Sequence, residues 1–416
     1  MVTDVRKNPA LLKLDLYCQG MRLGDECFPE RRGGRRILRT RAGLGSGLEV
    51  ILPGGLWTNI PVVEAFAAES PYVLRHDDAG FRIDHDALGP VAPIRLSPQP
   101  AWYDQPAPSG KPMSRIGTLQ GTYLGIYPAK VCDYWLLTPK EQCGFCSVGL
   151  NLGADDADEK SVADVVAVVR AAQRESGITY VDFNTGHYDG DTYLDILEPY
   201  IVRVKEETGL LVGVQTPPHR DLQRYRHLRR LGVNRVSFCF ELFDRDRFET
   251  VCPGKHREYG LDRYLSAVEY CAREVGPNGR GIEPWIVNGE IIAGLEPPES
   301  SIAAIDWITS VGAIPTVCVF RPLQGTLYKD LRPPRTEEVV PVFARLYEAC
   351  MERGLPIGLA PNVHVSLVML PEEGRWLQPN PRRFWFRELK NAAARRVVAV
   401  WLRRETARAR SSKKAA

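Results

Sequence analysis

Cys132, Cys143 and Cys146 lie in one stretch, Lys-Val-Cys-Asp-Tyr-Trp-Leu-Leu-Thr-Pro-Lys-Glu-Gln-Cys-Gly-Phe-Cys-Ser, just after an apolar run, Tyr123 to Tyr127, that reads as a strand. Three thiolates on one loop can hold three irons of a cubane cluster and leave the fourth iron open to a further ligand. Zinc competes for the same residues. It normally takes four protein ligands in a closed tetrahedron, and only one Cys-x-x-Cys pair is present here, with no matching pair downstream. A redox dithiol would use Cys143 and Cys146 at a helix start without needing Cys132. The spacing favours the cluster and leaves the other two open.

These cysteines need elements to hold them. From about Thr122 to Leu331 the chain alternates β-rich runs with amphipathic segments. Strands are expected at Tyr123 to Tyr127, Ile178 to Phe183, Leu211 to Gln215, Arg235 to Phe240, Trp285 to Ile292 and Pro315 to Phe320. Helices are expected at Val162 to Gln173, Thr192 to Glu207, Asp221 to Leu231, Leu261 to Arg273 and Ser301 to Val311. Such alternation predicts βα units and a parallel sheet, which right-handed crossovers curl into a full or partial barrel. Chemistry then gathers at the carboxyl ends of the strands, and the cysteine loop follows the first of them.

The chain has 416 residues, 44% of them apolar, enough for a large core. No apolar stretch approaches the roughly 18 residues needed to cross a bilayer, and the N-terminus lacks the apolar centre of a signal peptide. Ten cysteines without framework spacing suit a reducing compartment, so a cytoplasmic setting is expected. The formal charge is +3, but from Pro381 onward twelve Lys or Arg face Glu388 and Glu405, a local +10 that leaves about −7 for the rest. Such asymmetry leaves an RNA or other anionic contact open. The simpler reading makes these charges the wet face of a helix over Arg387 to Arg404, with Leu389, Val397, Val400 and Trp401 inward and a disordered end after Arg408.

Taken together, these segments resemble the radical SAM superfamily. The Cys-Gly-Phe-Cys pair, with Phe145 just before the last cysteine, is similar to its signature, although the first gap spans ten residues where the commonest pattern has three. After the second strand, Asn184-Thr185-Gly186-His187 occupies the place of the turn that contacts the amino group of S-adenosylmethionine. After the fourth, Ser237 and Glu241 stand where relatives keep a polar group for the ribose or amino acid part. The fifth strand, Asn288-Gly-Glu-Ile-Ile-Ala-Gly294-Leu295-Glu296, resembles the adenine-lining segment of biotin synthase, and Arg321-Pro-Leu-Gln-Gly-Thr resembles a turn of the same group.

The resemblance implies a partial (β/α)6 TIM-like barrel over residues 111–335, with an N-terminal α+β accessory domain (1–110) and a C-terminal extension (336–416). It implies a 4Fe-4S cluster on Cys132, Cys143 and Cys146, with S-adenosylmethionine bound by Phe145, Thr185, Gly186, Ser237, Glu241, Asn288, Gly294 and Leu295. Reductive cleavage would give a 5′-deoxyadenosyl radical that takes hydrogen from a small organic substrate, in oxidoreductase, lyase or transferase chemistry, with flavodoxin or ferredoxin as reductant. Glu241, Tyr188 and Arg321 are the candidate catalytic groups, Arg321 as an anion anchor at the mouth beside His187, Asp189, Asp191 and Gln324. Glu241 could instead cap a helix or pair with Arg245. The segment Cys252 to Arg257 could hold a carboxylate or form an exposed loop. Sulfur insertion of the biotin or lipoyl synthase type lacks a second cysteine cassette, since Cys18, Cys27, Cys239, Cys271, Cys318 and Cys350 are scattered and read as buried thiols. A zinc-stabilised RNA- or protein-binding protein is the alternative outside catalysis.

Outside the barrel, residues 31–41 form a basic Gly-Arg patch, 43–47 read as a hairpin turn, and Pro93 to Pro112 reads as a linker. A helix is expected over Val339 to Arg353, and the apolar piece from Pro356 to Val368 is expected to complete or plug the barrel, with His364 in the core.

Overall fold

All six expected strands form and lie side by side in chain order. In the computed structural model, which describes residues 4–27, 47–276 and 283–414, they are Tyr123–Ile126, Tyr180–Asn184, Leu211–Gln215, Arg235–Glu241, Ile286–Ala293 and Ile314–Val319. Each pairs parallel to the next. A seventh strand, Thr118–Gln120, pairs antiparallel at the Tyr123–Ile126 edge. The result is a mixed α/β fold on a curled sheet. The basic patch at 31–41 and all but Gly47 of the 43–47 turn lie outside the described residues.

Helices Val162–Glu175, Tyr193–Thr208, Gln223–Arg230 and Pro298–Ser310 cross between strands as the amphipathic pattern predicts. The first opens with a capping box in which Ser161 and Asp164 satisfy each other's backbone amides. Between the fourth and fifth strands the single expected helix is three: Arg245–Val251, Pro253–Glu258 and Gly260–Tyr270. Cys252 to Arg257 is therefore not a loop, because Pro253 starts a helical turn there; Cys252 and Gly254 are buried, while His256 and Arg257 are exposed.

Period-2 alternation sends every second side chain of each strand into the sheet's concave side. Many of these inward residues are polar. Arg235 donates to Asp182 (3.1 Å), Glu290 (2.7 Å) and Asn288 (2.8 Å), while Asn184 donates to Gln215 (2.8 Å). Burying one guanidinium with two carboxylates is tolerable only because each is hydrogen-bonded. The strand pattern has no side chain to spare at Gly213, where a Cβ would come within 1.8 Å of the Tyr180 hydroxyl.

The flanking segments pack against the sheet and against each other. The hairpin Leu48–Leu52 and Leu56–Ile60 packs by helix Pro9–Gln19. Tyr17 donates to the Ser366 carbonyl (2.6 Å) and Lys13 pairs with Glu373 (2.7 Å). The piece from Pro356 to Val368 borders a chamber among the amino-end residues of the strands, and His364 within it is half-buried and not in the core. The stretch from Pro93 is a packed strap and not a free linker: Trp102 is buried and its indole donates to Ser176 (3.0 Å). The terminal helix runs Trp385–Lys414, past the expected disordered end, in keeping with its good helix formers. Its buried contacts are Val398 and Leu402, whereas Leu389, Val397 and Val400 are exposed, so the apolar stripe is shifted by one residue from the expected one. Among the described residues no helix is long and apolar enough to cross a membrane.

Candidate cluster and cofactor site

The loop after the first strand folds back so that Cys132, Cys143 and Cys146 all border one cavity of about 150 Å³ at the carboxyl ends of the strands. Two glycines let it close this tightly. A Cβ on Gly144 would come within 2.4 Å of the Tyr328 ring, and one on Gly186 would come within 2.4 Å of the Cys132 Cβ. Backbone bonds fix the rest: Gly144 N–H to the Val251 carbonyl (2.9 Å), Tyr328 N–H to the Gly144 carbonyl (3.0 Å), and Asp133 N–H to the His187 carbonyl (3.0 Å). His187 N–H also donates to the Cys132 sulfur at 3.4 Å, and its ring stacks on Tyr134 at 4.4 Å.

Electrostatics separate the three thiols. Burial raises Cys132 to about 11 and pushes Cys146 up as well. Cys143 is held below the usual thiol range by the Cys252 thiol beside it and, against burial, by the Lys255 ammonium. A thiolate is the form that binds metal, so this cation favours ligation. Lys255 reaches the cavity from the helical turn after Cys252 and pairs with Glu241 at 2.6 Å, while also donating to the Cys239 carbonyl at 2.6 Å. Burial opposes its charge, but Glu241, Tyr264 and the nearby thiols outweigh it and hold the ammonium well above the usual lysine range. Glu241 itself sits at a bulge with φ +70°, a left-handed conformation unfavourable for a side-chain-bearing residue. That turn is what swings its carboxylate inward; Arg245 pairs with Asp262 instead.

Two buried hydroxyls bordering the cavity, Thr185 Oγ1 and Tyr134 OH, have no hydrogen-bond partner among the described residues. Orphaned buried donors usually wait for a ligand or water. The residues therefore fit a cluster with an organic ligand beside it: three soft sulfur ligands, a fixed cation, and free hydroxyls.

Several expected members lie elsewhere. Phe145, Thr185, Gly186 and Glu241 border the cavity. Ser237 does not, because its hydroxyl turns down to Glu290. Asn288 faces the amino end, one inward position below Glu290, bonding Arg235 and the Ile314 carbonyl (2.8 Å). Gly294, exposed, and Leu295, half-buried, lie past the end of their strand, where Gly294 turns at φ +101° against Pro334. Tyr188 holds the loop from beneath, donating to the Lys130 carbonyl (2.5 Å) beside Tyr127 OH (2.9 Å). Arg321 faces away from the mouth: it donates to Asn59 at 3.0 and 3.1 Å and lies 4.8 Å over the Tyr17 ring. Sequence reasoning missed Lys255, Tyr134, Cys239, Glu290 and Cys318 as cavity residues. The basic Cys252 to Arg257 segment was the one available signal, for Lys255.

Since a Cβ at Gly186 would meet backbone as well as side chain of Cys132, Gly186→Ala should cost about 1–3 kcal/mol and displace Cys132. Iron content after anaerobic reconstitution should fall well below that of the wild type; equal iron would show that the loop yields freely.

The curled, mainly parallel sheet thus carries its three-cysteine loop at the carboxyl ends of the strands. No family model matches the chain. A curated relative, bacteriochlorophyllide c C-7(1)-hydroxylase of Chlorobaculum limnaeum, is 29% identical over 152 residues, 35% of this chain and 36% of that protein. Among solved structures, methylornithine synthase is similar with a TM-score of 0.41 and 18% identity over 55% of this chain and 62% of that one. Coproporphyrinogen III oxidase from Escherichia coli, a radical SAM enzyme, gives 0.32 and 17% over 42% and 41%. The chain thus spans about a third of the curated relative and under two thirds of these structures. Radical SAM enzymes are among the proteins this chain is similar to, as its cysteine loop implied.

Proposed function

We propose that this chain is a radical SAM enzyme, with a 4Fe-4S cluster on Cys132, Cys143 and Cys146 and S-adenosylmethionine beside it. The single observation that carries this reading is the convergence of all three thiols of one loop on a cavity that also holds unpartnered hydroxyls and a buried ion pair.

When bound, the cluster would supply the electron that splits S-adenosylmethionine to methionine and a 5′-deoxyadenosyl radical. The chain's own residues bind and shield. Thr185 and the Gly186 turn would receive the cofactor's amino group. Glu241, fixed by Lys255, would bond its ribose or amino acid part, and Lys255 would offset negative charge at the cluster. Phe145 and Trp135 would keep water out. The barrel, 111–335, would carry this chemistry, with 1–110 and 336–416 as accessory parts. A small organic substrate in cofactor, pigment or natural-product biosynthesis, a flavodoxin- or ferredoxin-like reductant and a cytoplasmic setting complete the reading. Addition of S-adenosylmethionine to the reduced, reconstituted protein should change its electron paramagnetic resonance spectrum, because the open iron gains ligands. An unchanged spectrum would remove the cofactor from the site.

A further inference from the structure

Beneath the cluster cavity, at the amino ends of the strands, lies a second and larger chamber of about 260 Å³. Asn184, Gln215, Glu290 and Cys318 border both chambers, so one layer of side chains separates them. Its polar wall is already satisfied from within: Arg235 is bonded to Asp182, Glu290 and Asn288, and Gln215 to Asn184 and Glu290. A ligand is therefore not required to supply charge there.

The rest of the lining is apolar: Leu211, Ile286 and Ile314 at the amino ends of the strands, and Ile357, Val363 and Met369 from the chain after the last strand. Glu372 also borders the chamber. Among the described residues no side chain is seen donating a hydrogen bond to its carboxylate. Burial raises this carboxyl to about 7, with Glu373 adding to the effect. An apolar cavity of roughly 150 Å³ already suffices to bind benzene, so this chamber has room for a bicyclic ring system.

We propose that the amino-end chamber is a binding site for a small, mainly apolar, uncharged ligand that carries one hydrogen-bond donor for Glu372. The ligand would lie against the Ile357 and Met369 wall, one side-chain layer from the cluster cavity. Nothing in this site requires the cluster, so it stands or falls separately from the proposed activity.

Indole has this shape and one N–H donor; benzothiophene has the same shape and none. Calorimetry with the full chain should show both binding, indole more tightly. Met369→Trp and Ile357→Phe, which fill the space, should each weaken both ligands at least tenfold. Glu372→Leu should weaken indole roughly tenfold, as loss of a hydrogen bond to a charged group does, and leave benzothiophene unchanged, which abolishes the difference between the two. This difference is read on a variant that leaves the cavity open, so it stays informative if a filling variant misfolds. Absence of binding by either compound at millimolar concentration, equal loss of both with Glu372→Leu, or unchanged binding in folded filling variants would overturn the proposal.

Discussion

Replacing Cys132, Cys143 or Cys146 singly with alanine should abolish cluster assembly while leaving the barrel folded. The barrel's stability comes from its continuous apolar core, in which the three cysteines are only partly buried members at the edge. The cluster needs all three thiolates, because three ligands already leave one iron open and two cannot retain a cubane. Iron and acid-labile sulfide after anaerobic reconstitution should drop to background in each variant, with far-ultraviolet circular dichroism unchanged. Replacement of Cys252, whose thiol lies beside Cys143 without being one of the three, should retain iron. A variant lacking one of the three yet holding full iron and sulfide would refute the ligand assignment.

Lys255→Met should produce the largest loss of stability at the site. The pair with Glu241 is buried, with side-chain exposures of 14% and 11%, and removing one partner of a buried pair costs about 3–5 kcal/mol because the other charge is stranded. Glu241→Gln combined with Lys255→Met should recover most of that loss, which separates the ion pair from packing. On the alkaline side the sign follows from the raised ammonium: the lysine's share of the contribution is fully present below the lysine value of the unfolded chain and is lost as pH rises through the higher folded value, while on the acid side protonation of Glu241, whose carboxyl burial pushes up, ends the pairing. Denaturant unfolding of the reconstituted proteins, as a function of alkaline pH, measures both effects. Equal stability of Lys255→Met and wild type would mean that the pair is solvated.

The strands were legible because each is a short β-rich run bounded by turns, and all six fall within about two residues of their expected limits. The cysteine loop was legible because its chemistry is carried by residue type and spacing. Side-chain direction was less so. Asn288 and Glu290 share a face, but nothing in a parallel strand's composition says which of them lies nearer the carboxyl end cavity. Glu241 and Lys255 meet only because of a bulge and a helical turn, and a bulge leaves no compositional mark. Cys239 and Cys318 sit in apolar runs that point to burial; Cys318 is buried, but Cys239 is half-buried, and the cavity beside them left no mark in the sequence. Arg321 looked catalytic by position. Its partner Asn59, 262 residues away, belongs to an N-terminal hairpin whose docking no local pattern encodes.

In the proposed reading, this cavity presents a cluster with an open iron to S-adenosylmethionine. Its most direct test is 5′-deoxyadenosine formation by the reduced, reconstituted protein with S-adenosylmethionine alone, followed by liquid chromatography. Slow formation is expected from the wild type, because cleavage requires the open iron and not a substrate, and none from the triple cysteine-to-alanine variant. Failure of fully reconstituted and reduced wild type to form 5′-deoxyadenosine, together with stoichiometric zinc binding, would contradict the account.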